Sequence, residues 1–307
     1  MEDGIYVECD RAVRSLGTCV IAGADASALS TYRGGGRLKR LYVPRTEEEF
    51  AAVCREVLSL TGRMPFLLGG GSNTLIDDGE VRRPVVWTRG LTGVTPTPEG
   101  LLCYAGTRLS EVSAAAAKEG LGGLEFLAGV PATVGGAVHM NAGAFGAEIG
   151  DHVTKVHVLD PCSCKLRRIS REQIAWGHRR GARLPVTAEV LSLPRMSAEE
   201  REQRRRGYLA ARRLAQPRLP SLGSMFTSDA GAAWAYSEGA GLKGLRVGGA
   251  EISRLHGNFI VNIGGGTAAD HIKLARVMRR AAEELFGVGL VAEVRSLTDG
   301  EEDPFSG

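Results

Sequence analysis

The residues best suited to chemistry lie in two glycine-rich stretches. Residues 69–73 read Gly-Gly-Gly-Ser-Asn and follow the apolar run MPFLL. No lysine stands at the P-loop position and the GxGxxG spacing is missing, so neither phosphate-binding fingerprint is present. Gly69, Gly70, Gly71, Ser72 and Asn73 offer a run of backbone N–H groups and two side-chain donors. Such an array suits an anion, phosphate or pyrophosphate above all, and it suits a plain structural turn equally well. The second stretch, residues 129–146, reads GVPATVGGAVHMNAGAFG. Thr133, the backbone around Gly135 and Gly136, and Asn141 supply donors for a second part of the same ligand. Two such loops facing one dinucleotide make a stronger case than either alone. His139, His152, His157 and His271 show no metal-ligand spacing, and Cys162 and Cys164 form a CxC that no common zinc site uses. The six cysteines read as reduced thiols, and no metal is expected.

The elements that must position these loops follow from periodicity. RLKRLYVP (37–44) reads as a strand, and Thr46 with Glu49 forms a capping box for a helix that Gly62 ends. MPFLL is then a strand that breaks into the glycines, which gives a strand–helix–strand unit with a ligand loop at its carboxyl end. PVVWT (84–88) and LLCYAG (101–106) read as strands and RLSEVSAAAAKEG (108–120) as a helix. The run 120–151 is too apolar for a solvated loop and too glycine-rich for a regular helix, so it must pack against something. TKVHVLD (154–160) and KLRRIS (165–170) read as a hairpin, and AEVLSLPRM (188–196) as a strand. Ser197 and Glu200 open an arginine-rich helix to about Leu214, whose charges read as a solvated face. QPRLPS (216–221) is a proline linker. Beyond it come the loop GSMFTSDAG, the strand HGNFIVN, a helix opened by Thr267 and Asp270, and the strand LVAEVRSL (290–297). That helix is expected to turn Leu274, Met278, Ala281 and Leu285 to the core. Residues 1–30 are poorly patterned, and the tail after Asp299 is expected to fray.

Composition narrows the class. The 307 residues are 43% hydrophobic and 24% charged, which places the chain among globular proteins and not disordered ones. Glycine is the outlier at 42 residues, about twice the usual ~7% share. The +3 net charge lacks the basic excess of a nucleic-acid binder. No stretch of ~18 apolar residues spans a membrane, and the acidic amino terminus does not read as a secretory signal. A cytoplasmic protein, monomeric and without nucleic-acid or membrane partners, is expected.

The ordered set YRGGG, LLGGGSN, GLEFLAGVPATVGGAVHMNAGAFG, GSMF, GLRVGGAEIS, HGNFIVN and AEVRSL, over about residues 27–297, resembles the UDP-N-acetylenolpyruvoylglucosamine reductase family. The short region after Gly177 is similar to the family's type II form. The resemblance implies an α+β protein with two FAD-binding α/β subdomains of the vanillyl-alcohol-oxidase type and a carboxy-terminal α+β substrate-binding domain. The expected boundaries are 1–80 and 81–196 for the FAD subdomains, 197–220 for a linker helix and proline linker, and 221–307 for the last domain. It implies noncovalent FAD, NADPH as electron donor, and reduction of an enolpyruvyl ether on UDP-N-acetylglucosamine to the lactyl ether of UDP-N-acetylmuramate. With both glycine stretches, it extends cofactor contact to Gly129, Ala137, Gly143 and Ala144.

Reducing that double bond needs a hydride, which reduced flavin delivers from N5, and a proton, and it builds negative charge beside a carboxylate. By resemblance, Arg179 in WGHRRGA grips the carboxylate, with Arg180 one residue away as the ambiguity. Ser224 in GSMF matches the family's proton donor. Glu293 in AEVRS matches its glutamate, which assists Arg179 if protonated or orients it if ionised. His256 and Asn258 are candidates for substrate contact or for holding local backbone, and Ser228 is assigned to substrate. The chain departs from the family where TSD (227–229) replaces Lys-Asn-Pro, where His178 replaces a Tyr before the arginine, and where Gly181 replaces a Ser. These departures keep one alternative open, a catalytically silent flavin- or sugar-nucleotide-binding protein on the same fold. Retention of Arg179, Ser224 and Glu293 opposes it. A flavin oxidase with another substrate is a third reading, weakened by the lack of a histidine for covalent flavin in the first loop.

Overall fold

The computed structural model of the chain describes residues 2–300 and 304–305. The chain divides into two compact units: residues 1–22, 40–70 and 84–211 form one, and residues 23–39, 71–83 and 212–307 the other.

The first unit has two layers of secondary structure around two cores. Strand Phe66–Leu68 and residues Leu41 and Tyr42 of strand Arg37–Val43 pair in parallel with the two sides of Val85–Trp87. Helix Glu47–Thr61 covers them. Thr46 Oγ1 accepts from Glu49 N, and Gly62 ends the helix at φ 71°, both as the sequence requires. A helix at Glu2–Ser15 was not evident from periodicity. Its burial rests on Cys9 and Val13, which join Phe50, Val53, Cys54 and Val57 in one core, and two residues are too few for a pattern. Asp10 at 2.7 Å from Arg40 Nε ties it down.

The second layer of this unit is an antiparallel sheet in the order Leu166–Ser170, Val153–Leu159, Val186–Leu191, Gly100–Tyr104, Val94–Thr97. Helices Leu109–Lys118 and Val134–His139 contribute Val112, Ala116, Val134, Ala137 and Val138 to its core. Helix Ala198–Ala215 buries no residue, and Arg204, Arg205 and Arg206 pair with Glu200 and Glu202 along the surface.

The second unit carries an antiparallel sheet in the order Ser221–Ser224, Phe259–Asn262, Ala250–Ile252, Arg246–Val247. Helix Ala268–Phe286 packs on it, opened by the reciprocal Thr267–Asp270 capping box. The buried row is His271, Leu274, Ala275, Met278 and Ala282. Leu285 is 64% exposed, contrary to expectation, because the core-facing row steps from Met278 to Ala282 rather than Ala281. Two short ladders complete the unit: Phe226–Thr227 with Val291–Ala292, and Thr74–Ile76 in parallel with Arg295–Leu297. The expected fraying stops short of Pro304 and Phe305: Phe305 is buried, and Arg276 Nε donates to Pro304 O at 3.1 Å. The rest of that expectation, at 301–303 and 306–307, lies outside the described residues. Among the described residues no helix is long and apolar enough to cross a membrane.

Glu189 in the first unit and His271 in the second are titratable groups buried in an apolar setting. Glu189 stands opposite Cys103 and Val156 in the first unit's sheet, is fully buried, and has no hydrogen-bond partner on either carboxylate oxygen. Burial holds its carboxyl protonated well above the usual carboxylate range. The unfolded chain ionises at ordinary pKa, so this group weakens folding as pH rises above about 4.5. Glu189→Met is expected to stabilise the protein at pH 7 by about 1–3 kcal/mol, with a smaller gain near pH 4, as read by urea melts at both values. His271 has the opposite sign. It is buried beside Tyr32 and Met225, and burial lowers its pKa to about 3. The unfolded histidine takes up a proton below about 6.5, so stability falls as the pH drops. A loss of about 2 kcal/mol between pH 7 and pH 5 is expected from this residue, and His271→Leu should remove that part of the slope.

Candidate functional site

In the first unit the two glycine stretches meet. Gly69 follows strand Phe66–Leu68, and its carbonyl accepts from Trp87 Nε1 at 3.0 Å. A Cβ on Gly69 would stand 2.7 Å from Thr133 Oγ1, and one on Gly70 would stand 3.1 Å from Pro131 O. Thr133 is buried, and its Oγ1 has no hydrogen-bond partner. A Cβ on Gly136, at the exposed side of helix Val134–His139, would stand 3.5 Å from that hydroxyl. The backbone hydrogen bonds outside helices and strands include none donated by residues 69–73 among the described residues. Within the first unit, an orphaned buried hydroxyl and backbone too close for side chains at Gly69 and Gly70 are features suited to an anionic ligand.

The other candidates of this stretch divide. Gly135 serves packing: its N–H donates to Ala105 O at 2.9 Å, and a Cβ would meet the Ala105 Cβ at 2.8 Å. Ala137 turns its side chain into the core. Gly129 is exposed at φ 82°, and Gly143–Ala144 pairs with Ala147–Glu148 in a tight hairpin. Asn141, at φ 44°, spends its amide inside the protein: Nδ2 donates to Glu148 Oε2 and to Gly177 O, and Oδ1 accepts from Gly150 N at 3.0 Å. Glu148 was passed over in the sequence, where nothing but its proximity to Asn141 marks it.

Asn141 thereby holds the turn that carries Arg179. Gly177 and Arg180 exchange backbone hydrogen bonds at 2.8 and 3.0 Å, which leaves His178 and Arg179 at the tip, Arg179 at φ 53°. Arg179 is half-buried, and its Nη1 donates to Gly143 O at 3.1 Å, so it lies along the second glycine stretch. Arg180 is exposed, with its guanidinium folded back over Gly177. Gly181 has a plain cause: a Cβ there would stand 1.8 Å from Val138 O, so the turn sits directly on the helix end.

In the second unit Ser224 follows a β-bulge. Ser221 pairs with Val261 and Ser224 with Phe259, with a register shift between them and Gly223 at φ 81°. The next residue, Met225, accepts from Glu293 N at 2.9 Å, so Ser224 and Glu293 stand on adjoining segments. Asn258 is buried and fully engaged: its carbonyl accepts from Met225 N, Oδ1 accepts from Phe226 N at 3.0 Å, and Nδ2 donates to Phe226 O at 2.8 Å. It clamps the segment after Ser224. His256 Nδ1 accepts from Asn258 N at 3.2 Å, and the ring packs edge-on against Phe259. Burial pulls the His256 pKa below its usual value, with the Glu238 charge opposing. Ser228 Oγ accepts from Ala230 N in a local turn. Asn73 Nδ2 donates to Glu293 O at 2.9 Å. Asn262 was also missed: it donates to Tyr32 O and accepts from Gly264 and Gly266, bracing the YRGGG loop. Its repetition in HGNFIVN was the available signal.

Residues 39–170 match the family described as FAD binding domain, and residues 216–297 match UDP-N-acetylenolpyruvoylglucosamine reductase, C-terminal domain. The UDP-N-acetylenolpyruvoylglucosamine reductase of Moorella thermoacetica is 38% identical over 289 residues, which are 92% of this chain and 94% of that protein. The crystal structure of the Thermus caldophilus UDP-N-acetylenolpyruvylglucosamine reductase has a TM-score of 0.75 at 34% identity, covering 91% of this chain and 98% of that one. A glucooligosaccharide oxidase of Acremonium strictum has a TM-score of 0.50 at 15% identity, over 92% of this chain and 59% of that one, and shares the fold alone.

Fold and family matches thus define an α+β flavoprotein oxidoreductase of the vanillyl-alcohol-oxidase type, with FAD as cofactor. The chain belongs to the UDP-N-acetylenolpyruvoylglucosamine reductase family. The Thr133 hydroxyl and the side-chain-free backbone at Gly69 and Gly136 fit the pyrophosphate of that cofactor. Because the hydroxyl has no partner within the protein, Thr133→Val is expected to leave the melting temperature of the apoprotein unchanged. It should weaken FAD about tenfold in a flavin-fluorescence titration, one hydrogen bond's worth.

Proposed function

We propose that this protein reduces UDP-N-acetylenolpyruvoylglucosamine to UDP-N-acetylmuramate at the expense of NADPH. FAD held at Thr133 and the side-chain-free backbone of Gly69 would supply the hydride chemistry, with NADPH as the source of the two electrons. The chain's own residues manage the charge and the proton. Arg179, always ionised, grips the substrate carboxylate as negative charge develops beside it. Ser224 donates a proton to the neighbouring carbon, which completes the addition of one hydride and one proton across the double bond, and it regains a proton from solvent. Glu293 supports the substrate carboxylate.

The observation that carries this reading is the hydrogen bond from Glu293 N to Met225 O. It sets the two family-matching groups of the second unit on adjoining segments, as a shared role at one reacting centre requires. The segment Thr227–Asp229 supports only weak substrate contact: Thr227 Oγ1 donates to Val291 O at 3.4 Å, and Ser228 is engaged with Ala230.

Under anaerobic conditions, NADPH is expected to bleach the yellow protein, and the enolpyruvyl substrate to restore the colour. Flavin that NADPH cannot reduce would instead favour the catalytically silent reading. Ser224→Ala is expected to keep NADPH-driven bleaching intact and to slow substrate-driven recolouring by about 10²–10⁴-fold. Equal slowing of both steps would remove Ser224 from the proton-donor role.

A further inference from the structure

Glu293 lies in a gap between two short strands, Val291–Ala292 and Arg295–Leu297. No regular ladder fixes its backbone there. Two hydrogen bonds do so instead. Its N–H donates to Met225 O at 2.9 Å, and its carbonyl accepts from Asn73 Nδ2 at 2.9 Å. Asn73 is itself anchored, because its own carbonyl accepts from Arg295 N at 3.0 Å at the head of the parallel ladder between Thr74–Ile76 and Arg295–Leu297. The last residue of the first glycine loop therefore grips the chain at Glu293 and again two residues on, at Arg295.

We infer that Asn73 is a positioning residue for Glu293, holding that residue's backbone through its side-chain amide rather than serving chiefly as a ligand to the cofactor. Its Nδ2 is directed at a protein carbonyl. The amide thus fixes the residue whose carboxyl works at the proposed reacting centre. Met225 supplies the other hold, so one amide links the glycine loop, Glu293 and the segment of Ser224. The catalytic consequence rests on the function proposed above; the geometric one does not.

Asn73→Ala removes the donor, and Asn73→Asp sets a carboxylate oxygen against the Glu293 carbonyl. Hydrogen exchange in the apoproteins tests the geometry alone. Exchange in peptides covering residues 290–297 is expected to accelerate in both variants, while that of strand Val186–Leu191 stays the same. Unaltered exchange at 290–297 would overturn the inference whether or not the substrate assignment holds. In the holoenzymes, the FAD dissociation constant is expected to change less than about threefold and bleaching by NADPH to keep its rate. Recolouring at saturating substrate should slow by about 10–100-fold, the usual effect of a group displaced by a fraction of an ångström to an ångström. The pH limb that disappears in Glu293→Gln should shift in Asn73→Ala, which a merely stabilising amide would not cause. FAD binding weakened more than about tenfold, with normal recolouring at saturating FAD, would make Asn73 a cofactor ligand and refute the positioning role. A wild-type protein that bleaches but is not recoloured by substrate would refute the proposed function alone.

Discussion

Backbone lies directly against backbone at two glycines that adjoin candidate site residues. A Cβ on Gly71 would stand 1.8 Å from Leu29 O, and one on Gly181 would stand 1.8 Å from Val138 O. No side chain can occupy either place, so both contacts exist only because glycine does. Contacts of this kind bring loops close enough to present their N–H groups to a bound phosphate. They also carry an obligation. Every buried N–H and C=O in such irregular chain needs a partner, and there is no ladder to supply one.

Asparagine meets that obligation. Its side-chain amide carries a donor and an acceptor in the same geometry as a peptide group, so it can stand in for a missing strand. Asn258 does this for Phe226, pairing with both its N–H and its carbonyl. Asn262 braces Tyr32, Gly264 and Gly266, and Asn141 joins Gly150 to Gly177. Asn73 completes the set at Glu293. The same physical need recurs in both units, although their folds differ. It explains why polar residues within glycine stretches so readily resemble ligand contacts while serving the chain itself.

That resemblance marks the limit of what could be read from residue order. Regular elements were legible, because periodicity and caps act locally: Thr46 and Gly62 bound one helix, and Thr267 opens another with Asp270. Helix Glu2–Ser15 was not, because only Cys9 and Val13 signal its buried side. The glycine stretches suggested a binding cradle, and the structure sets Gly69 directly against Thr133. The direction in which each amide points was not legible, since it is set by carbonyls distant in sequence. Asn73 and Glu293 are 220 positions apart. Glu189 was invisible for a related reason: in a strand, only the facing residues Cys103 and Val156 reveal that its side is apolar.

Regular strands alternate their side chains and hold each residue by its neighbours, which leaves little freedom to aim one group at a reacting atom. Ser224 and Glu293 both stand where that regularity is interrupted, one after the bulge at Gly223 and the other between two strand fragments. Interruption frees the direction of the side chain but removes the ladder that would hold it. Specific hydrogen bonds must then restore the lost rigidity, and the Met225–Glu293 and Asn73–Glu293 pairs do so at the glutamate. A hydroxyl is a feeble acid unless it is held in one place and shielded from water. On the proposed mechanism the constraint on Ser224 is stricter than the constraint on an arginine, whose charge acts over distance. The backbone clamps, Asn258 included, fall on the segments bearing that hydroxyl and the Glu293 carboxyl.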